Sequence, residues 1–134
     1  MFMKKKILVT EDDPIMRDVY KIILERAGYD VAFSCDAKCI YEDSFAEPDI
    51  FILDRHIFET DGLDVCRFLK KGAKTAAIPV IMVSSSPGII LLAKLAGADD
   101  SIEKPFIMKD LLVKVNRWIN VRNAMLVLYT TLLF

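Results

Sequence analysis

The chain has 134 residues, 54% of them apolar, with a formal net charge of -1. That length fits one domain with a real hydrophobic core, and the near-zero charge gives no electrostatic case for a nucleic-acid partner. No apolar run reaches the roughly 20 residues needed to span a bilayer, so no membrane partner is expected.

The basic start, Met1 to Lys6, leads only into the short apolar stretch Ile7 to Thr10, which reads as a first strand and not as a signal-peptide core. After it, Asp13 is placed to cap a helix whose first residue is Pro14, where a missing N–H is harmless. Ile15, Val19, Ile22 and Ile23 give that helix an apolar stripe, and Gly28 ends it. Tyr29 to Ser34 reads as a second strand. Asp36 to Ala46 is a second helix, the weakest by pattern, closed before Pro48. Ile50 to Leu53 is a third strand, continuously apolar as a sheet-centre strand should be.

Gly62 to Lys71 follows as a third helix with Leu63, Cys66 and Leu69 on one face. Pro79 to Val83 is a fourth strand, leading into the polar turn Ser84-Ser85-Ser86. Pro87 to Ala96 is a fourth helix ended by Gly97, and Asp100 to Glu103 a short fifth strand. A last helix starts near Phe106, with Ile107, Leu111, Leu112, Val115 and Ile119 at helical spacing. Repeated strand-then-helix order means an α/β fold: a parallel sheet with right-handed crossovers and helices on both faces. The high mean hydropathy of +0.34 agrees with a sheet covered on both sides.

Three cysteines, Cys35, Cys39 and Cys66, make an odd count without CxxC spacing. They read as reduced, packing cysteines of a cytosolic, cytoplasmic protein. The domain is expected over 4–122. The segment 123–134 is apolar with no polar face, and an ordered apolar tail is packed against something. It extends the last helix into a dimer contact, giving a homodimer, or it covers its own domain, or it is the remnant of a truncation held by a neighbouring molecule.

Charged residues stand at the ends of three strands: Glu11-Asp12-Asp13, Asp54, and Lys104 after Glu103. The carboxyl ends of parallel strands lie side by side, and α/β folds bind their ligands at that edge. Carboxylates crowded there repel one another and invite a hard cation such as Mg²⁺. A lysine beside them neutralises an anion carried by one of them. With the hydroxyl of Ser84, the pattern suggests a metal-assisted phosphate site with Asp54 as candidate acceptor.

The segments ILVTEDDPIMR, PDIFILD, DGLDVCRFLK, IPVIMVSS and GADDSIEKPF, in that order, resemble the response-regulator receiver domain of two-component signalling, over about residues 4 to 121. The resemblance implies a flavodoxin-like five-stranded parallel sheet in the order 2-1-3-4-5. It implies Asp54 as phosphoacceptor, a carboxylate nucleophile that forms an aspartyl phosphate. Mg²⁺ would be the cofactor, held by Asp12 directly, Glu11 through water, Asp54, and the backbone carbonyl of His56. Arg17, five residues after Asp12, fixes that alignment and leaves Asp13 as the helix cap. Ser84 would bond one phosphoryl oxygen and Lys104 pair with another. Without an anion Lys104 should pair with Asp54 or its neighbours, and the Lys104-Pro105 bond should be cis.

Two departures from the family pattern matter. Phe58 stands where a proline is usual and Thr60 where an apolar residue is common, in the loop after the acceptor. At the switch position Ser101 replaces a Tyr or Phe that moves inward when the hydroxyl at Ser84 engages phosphate. A signalling switch driven by a sensor histidine kinase or phosphotransfer protein, acting on a downstream protein target, is the first reading. A phosphate-independent interaction or dimerisation module is the second. A flavin-binding domain of similar fold lacks the glycine or hydroxyl cluster after the first strand that a cofactor phosphate needs.

Overall fold

A computed structural model describes residues 3–34, 36–57 and 59–133 of the chain. The expectations placed on Cys35 and Phe58 lie outside the described residues. The elements run β1 (Lys6–Thr10), α1 (Pro14–Arg26), β2 (Asp30–Ser34), α2 (Lys38–Tyr41), β3 (Ile50–Asp54), β4 (His56–Ile57), β5 (Thr60–Asp61), α3 (Gly62–Lys71), β6 (Val80–Ser84), α4 (Ile89–Leu95), β7 (Asp100–Glu103) and α5 (Met108–Leu133). The main sheet has five strands in the order β2-β1-β3-β6-β7, all neighbours parallel. This is the flavodoxin-like order that the family resemblance implied, with one addition. His56–Ile57 and Thr60–Asp61 pair antiparallel as a tiny hairpin on the loop after β3.

Alternation along the strands sorts the core into two layers. Phe51 and Leu53 of β3, with Val80 and Met82 of β6, meet Leu63, Val65 and Leu69 of α3 and Ile89 of α4. The intervening Ile50 and Ile52, with Ile7, Val9 and Ile81, meet Tyr20 and Leu24 of α1 and Leu111, Val115 and Ile119 of α5. Both faces of the sheet are therefore closed, which explains the unbroken apolar run of β3.

The helix starts follow local chemistry. Asp13 caps α1, its carboxylate accepting the Ile15 N–H at 3.0 Å, with Pro14 at the first turn. Asp61 caps α3 in the same way, through the Leu63 N–H at 2.9 Å. Gly28 takes φ 98° just past α1, a left-handed position that suits glycine.

Three expectations need correction. The stripe on α1 is not Ile15, Val19, Ile22 and Ile23: Ile15 and Ile22 face solvent, and Tyr20 and Leu24 carry the burial. Met16, Tyr20, Ile23 and Leu24 offer the same helical spacing one step round, and the large Tyr20 ring fills the layer. Ile107 likewise precedes α5 and is exposed. The second helix shrinks from 36–46 to Lys38–Tyr41, because Ser44 N–H turns back to the Cys39 carbonyl and Asp43 enters positive φ at 57°. The tail does continue the last helix, in one run of 26 residues. Within the chain it does not cover the domain: Met125 to Tyr129 and Leu132–Leu133 stay exposed.

Candidate functional site

Strand register brings the charged residues to one edge. Thr10 pairs with Leu53, Asp54 with Val83, and Ser84 with Glu103. One step further along each strand, Glu11, Asp54, Ser84 and Lys104 emerge side by side. The Lys104 N–H donates to the Ser84 carbonyl at 2.9 Å, holding the turn after β7 against β6. The Lys104-Pro105 peptide is cis, as expected.

Asp54 is held on three sides. Its N–H donates to Thr10 Oγ1 at 2.9 Å, tying the end of β3 to β1. One carboxylate oxygen accepts the His56 N–H at 3.0 Å, and the other accepts Lys104 Nζ at 2.5 Å. The side chain keeps only 12% of its surface open, so the pair is largely shielded from water. The predicted resting partnership of Lys104 is thus present.

Glu11 is the least comfortable group at the edge. Oε1 accepts the Asp13 N–H at 3.1 Å. Oε2 is buried without a hydrogen-bond partner, 4.0 Å from Lys104 Nζ. Burial raises the carboxyl above its ordinary value, the Asp54 and Asp12 charges push the same way, and the Asp13 N–H and Lys104 oppose them. Asp12 lies exposed beside it and Asp13 is the helix cap.

Ser84 is buried, its hydroxyl accepting the Ser86 N–H at 2.9 Å. His56 is exposed on the small hairpin. Ser101 pairs with Met82 in β7 and is half-buried. Beside it lies a cleft of about 240 Å³ lined by Ile90, Ala93 and Ala98 together with the charged Lys94, Asp99 and Asp100.

Four contributors escaped the sequence reading. Thr10 anchors the acceptor strand, as just described. Arg17 does more than mark the alignment: its Nε donates to the Glu11 carbonyl, and its guanidinium lies over Phe33 with the carbon 5.9 Å from the ring centroid. Tyr20 is buried beneath the edge, its hydroxyl pKa raised by burial and by the Glu11 and Asp54 charges. Gly62 lies so close to the acceptor strand that a Cβ there would come 2.1 Å from the Asp54 carbonyl oxygen. Its only sequence signal is an Asp-Gly pair at a helix start.

Among the described residues, no three His, Cys, Asp or Glu side chains gather into a ready metal cage. The donor chemistry nevertheless fits a small hard cation that keeps much of its own water. Such an ion takes one or two carboxylates, and Glu11 offers a buried, unbonded oxygen beside Asp54 and Asp12.

A doubly wound parallel sheet with acidic and lysine side chains at its carboxyl edge defines a flavodoxin-like α/β domain. The chain belongs to the response regulator receiver domain family, whose model matches residues 7–116. It is 36% identical over 115 residues to the DNA-binding dual master transcriptional regulator RpaA of Synechocystis sp., covering 82% of this chain and 47% of that protein. The chain spans about half the length of the curated relatives it matches.

Solved structures agree. The signal receiver domain of a signal transduction histidine kinase from Syntrophus aciditrophicus superposes with a TM-score of 0.78 at 33% identity, over 87% of this chain and 90% of that one. The receiver domain of a sensor histidine kinase from Pseudomonas aeruginosa PAO1, solved with magnesium coordinated in its active-site cleft, has a TM-score of 0.77 at 24% identity, over 88% and 99% of the two chains. No helix among the described residues is long and apolar enough to cross a membrane.

Proposed function

We propose that this receiver domain accepts a phosphoryl group on Asp54 from a phosphohistidine of a sensor histidine kinase or phosphotransfer protein, and thereby switches contacts with a downstream protein. The observation that carries the reading is the 2.5 Å pair between Lys104 and Asp54, beside the unbonded Oε2 of Glu11. A carboxylate set against a cation and two further acids is a nucleophile whose charge can be screened as a second anion approaches.

In the transfer, an Asp54 carboxylate oxygen forms the new bond to phosphorus as the phosphorus–nitrogen bond of the donor breaks. The imidazole leaves with the electron pair. Lys104 is positioned to move from the carboxylate onto a phosphoryl oxygen, and the Ser84 hydroxyl to turn from the Ser86 N–H and donate to another. Glu11, Asp12, Asp54 and the His56 carbonyl would hold Mg²⁺, which when bound neutralises charge building between acceptor and donor. The domain assists its own phosphorylation and dephosphorylation in this way, without turning over an external substrate as an enzyme does.

We assign the receiver unit to 4–122 and read 123–134 as an apolar C-terminal tail. A cytoplasmic location follows from partnership with a kinase that acts there. A near-neutral charge supports a protein target for this domain and not nucleic acid.

A second reading, an interaction module that works without phosphate, draws on Ser101, which stands where the family usually has the aromatic ring of the switch. One experiment separates the two. Incubation with Mg²⁺ and a small acyl-phosphate or phosphoramidate donor at neutral pH, followed by intact mass, should show a gain of one phosphoryl group. No gain rejects the phosphoacceptor reading. A gain that survives Asp54→Ala moves the site elsewhere.

A further inference from the structure

Halfway along, α5 stops having two faces. As far as Ile119 it buries one stripe, Leu111, Val115 and Ile119, against the sheet. From Asn123 to Leu133 the sequence holds no charged residue. Met125 to Tyr129 and Leu132–Leu133 are between 53% and 85% exposed, on all sides of the helix. Even the threonines turn inward: the hydroxyls of Thr130 and Thr131 donate to the carbonyls of Leu126 and Val127, each at 2.8 Å. A helix apolar all round is a helix that gets buried. The open side chains amount to on the order of 800 Å², the share one partner brings to a standard interface.

Beside this segment, at the end of the sheet opposite Asp54, runs a groove of about 390 Å³. Ala77 and Pro79 form its domain wall, and Trp118, Val121, Met125 and Tyr129 its helix wall. The charges along it are already engaged, Asp99 with Lys70 at 2.6 Å and Arg122 with Asp49 at 3.6 Å. An apolar occupant therefore meets no unpaired ion there.

We infer that the groove is filled by the same segment of a second copy, the two helices running antiparallel about a two-fold axis near Leu126. An uncharged segment does not repel its own copy, and a two-fold axis makes each patch the complement of the other. The antiparallel direction brings Leu132 and Leu133, at the far end of the segment, to the partner's Trp118 and Val121 at its root. Each helix then has the partner helix on one side and the partner's Ala77–Pro79 wall on another, which accounts for apolarity that a single stripe would not need. A parallel pair would leave both grooves open.

The test is light scattering on the full chain at tens of micromolar, with no phosphodonor present, so its outcome is independent of whether Asp54 accepts phosphate. The expected mass is twice 15.2 kDa. Leu126→Glu, on the helix, and Ala77→Glu, at an exposed position on the domain wall, should each return the chain to monomer, and Ala77→Glu should leave the thermal melt of a monomeric sample unchanged. A monomeric wild type overturns the inference, and if that monomer floats with phosphatidylcholine vesicles the segment belongs to a lipid surface instead. A dimer that persists in Ala77→Glu also overturns it, since the pairing then lies outside the groove.

Discussion

Lys104 and Asp54, fifty residues apart in the chain, meet at 2.5 Å across the carboxyl edge of the sheet. The same lysine ammonium stands 4.0 Å from the unbonded oxygen of Glu11, so it faces both carboxylates. A Mg²⁺ held as proposed would answer the same negative charge as the lysine.

Removing the ammonium should make that competition visible. Lys104→Met leaves a shielded carboxylate pair without its counter-charge and should lower stability by about 1–3 kcal/mol. Mg²⁺ should then raise the melting temperature of Lys104→Met by more than it raises that of the wild type, because binding to the folded state adds stability by mass action. Phosphoryl labelling should slow by about tenfold or more, as when one charge-stabilising donor is lost. Equal Mg²⁺ shifts in the two proteins would contradict the shared role.

Glu11 supplies a pH test. Its folded-state pKa lies above the ordinary value for a glutamate, with burial the main cause. The folded chain therefore holds this proton more tightly than the unfolded chain, so stability falls as pH rises from about 4.5 through the raised pKa. Glu11→Gln should be more stable than wild type at pH 7, and the difference should shrink toward pH 4. The same variant should bind Mg²⁺ more weakly. Denaturant midpoints across this range, with chelator present, check the first part, and a melt with added Mg²⁺ checks the second.

The strands and the five charged or hydroxyl residues at their ends could be read from the sequence because they depend on local signals, an apolar run and then the residue where it stops, whereas the strand order came with the family resemblance. What escaped depends on contacts between distant parts of the chain. Nothing local about Thr10 says that its hydroxyl will meet the Asp54 N–H on the next strand. The α1 stripe went astray because Ile15 and Ile22 look more apolar than Tyr20, whereas the layer between helix and sheet had room for a ring. The short α2 reflects Asp43, whose left-handed turn competes with helical hydrogen bonds that the composition of 36–46 only weakly favours.

Gly62 should be intolerant of any side chain. A Cβ would stand 2.1 Å from the Asp54 carbonyl oxygen and 3.0 Å from the Arg55 Cα, both backbone atoms that cannot swing aside. Gly62→Ala should cost about 1–3 kcal/mol or more, as overpacking does. It should also reduce phosphoryl labelling at temperatures where the variant remains folded, since relief requires moving the acceptor's own backbone. Melting curves paired with intact-mass labelling separate the two effects.

Asp100 fastens β7 to α5. Its carboxylate accepts Lys114 Nζ at 2.8 Å and Trp118 Nε1 at 2.9 Å. Burial alone would raise its pKa, but these bonds and that of the Ser101 N–H outweigh burial and lower it. The stabilisation is present at neutral pH and is lost as pH falls below 3.8 through the folded-state value. Asp100→Asn should cost about 1–2 kcal/mol at pH 7, with the gap to wild type closing in strong acid. A gap that stays constant with pH would show that shape, and not charge, fastens the two elements.

Trp118 is the single tryptophan of the chain. Its indole donates to Asp100 at the start of β7, the strand whose other end leads into Lys104, and its ring lines the groove at the root of the uncharged segment. Its ultraviolet emission therefore comes from one place, the seam between the outermost strand and the last helix. The molecule carries a built-in optical probe, and without any added dye its colour and intensity can follow both what happens along β7 and what settles into the groove.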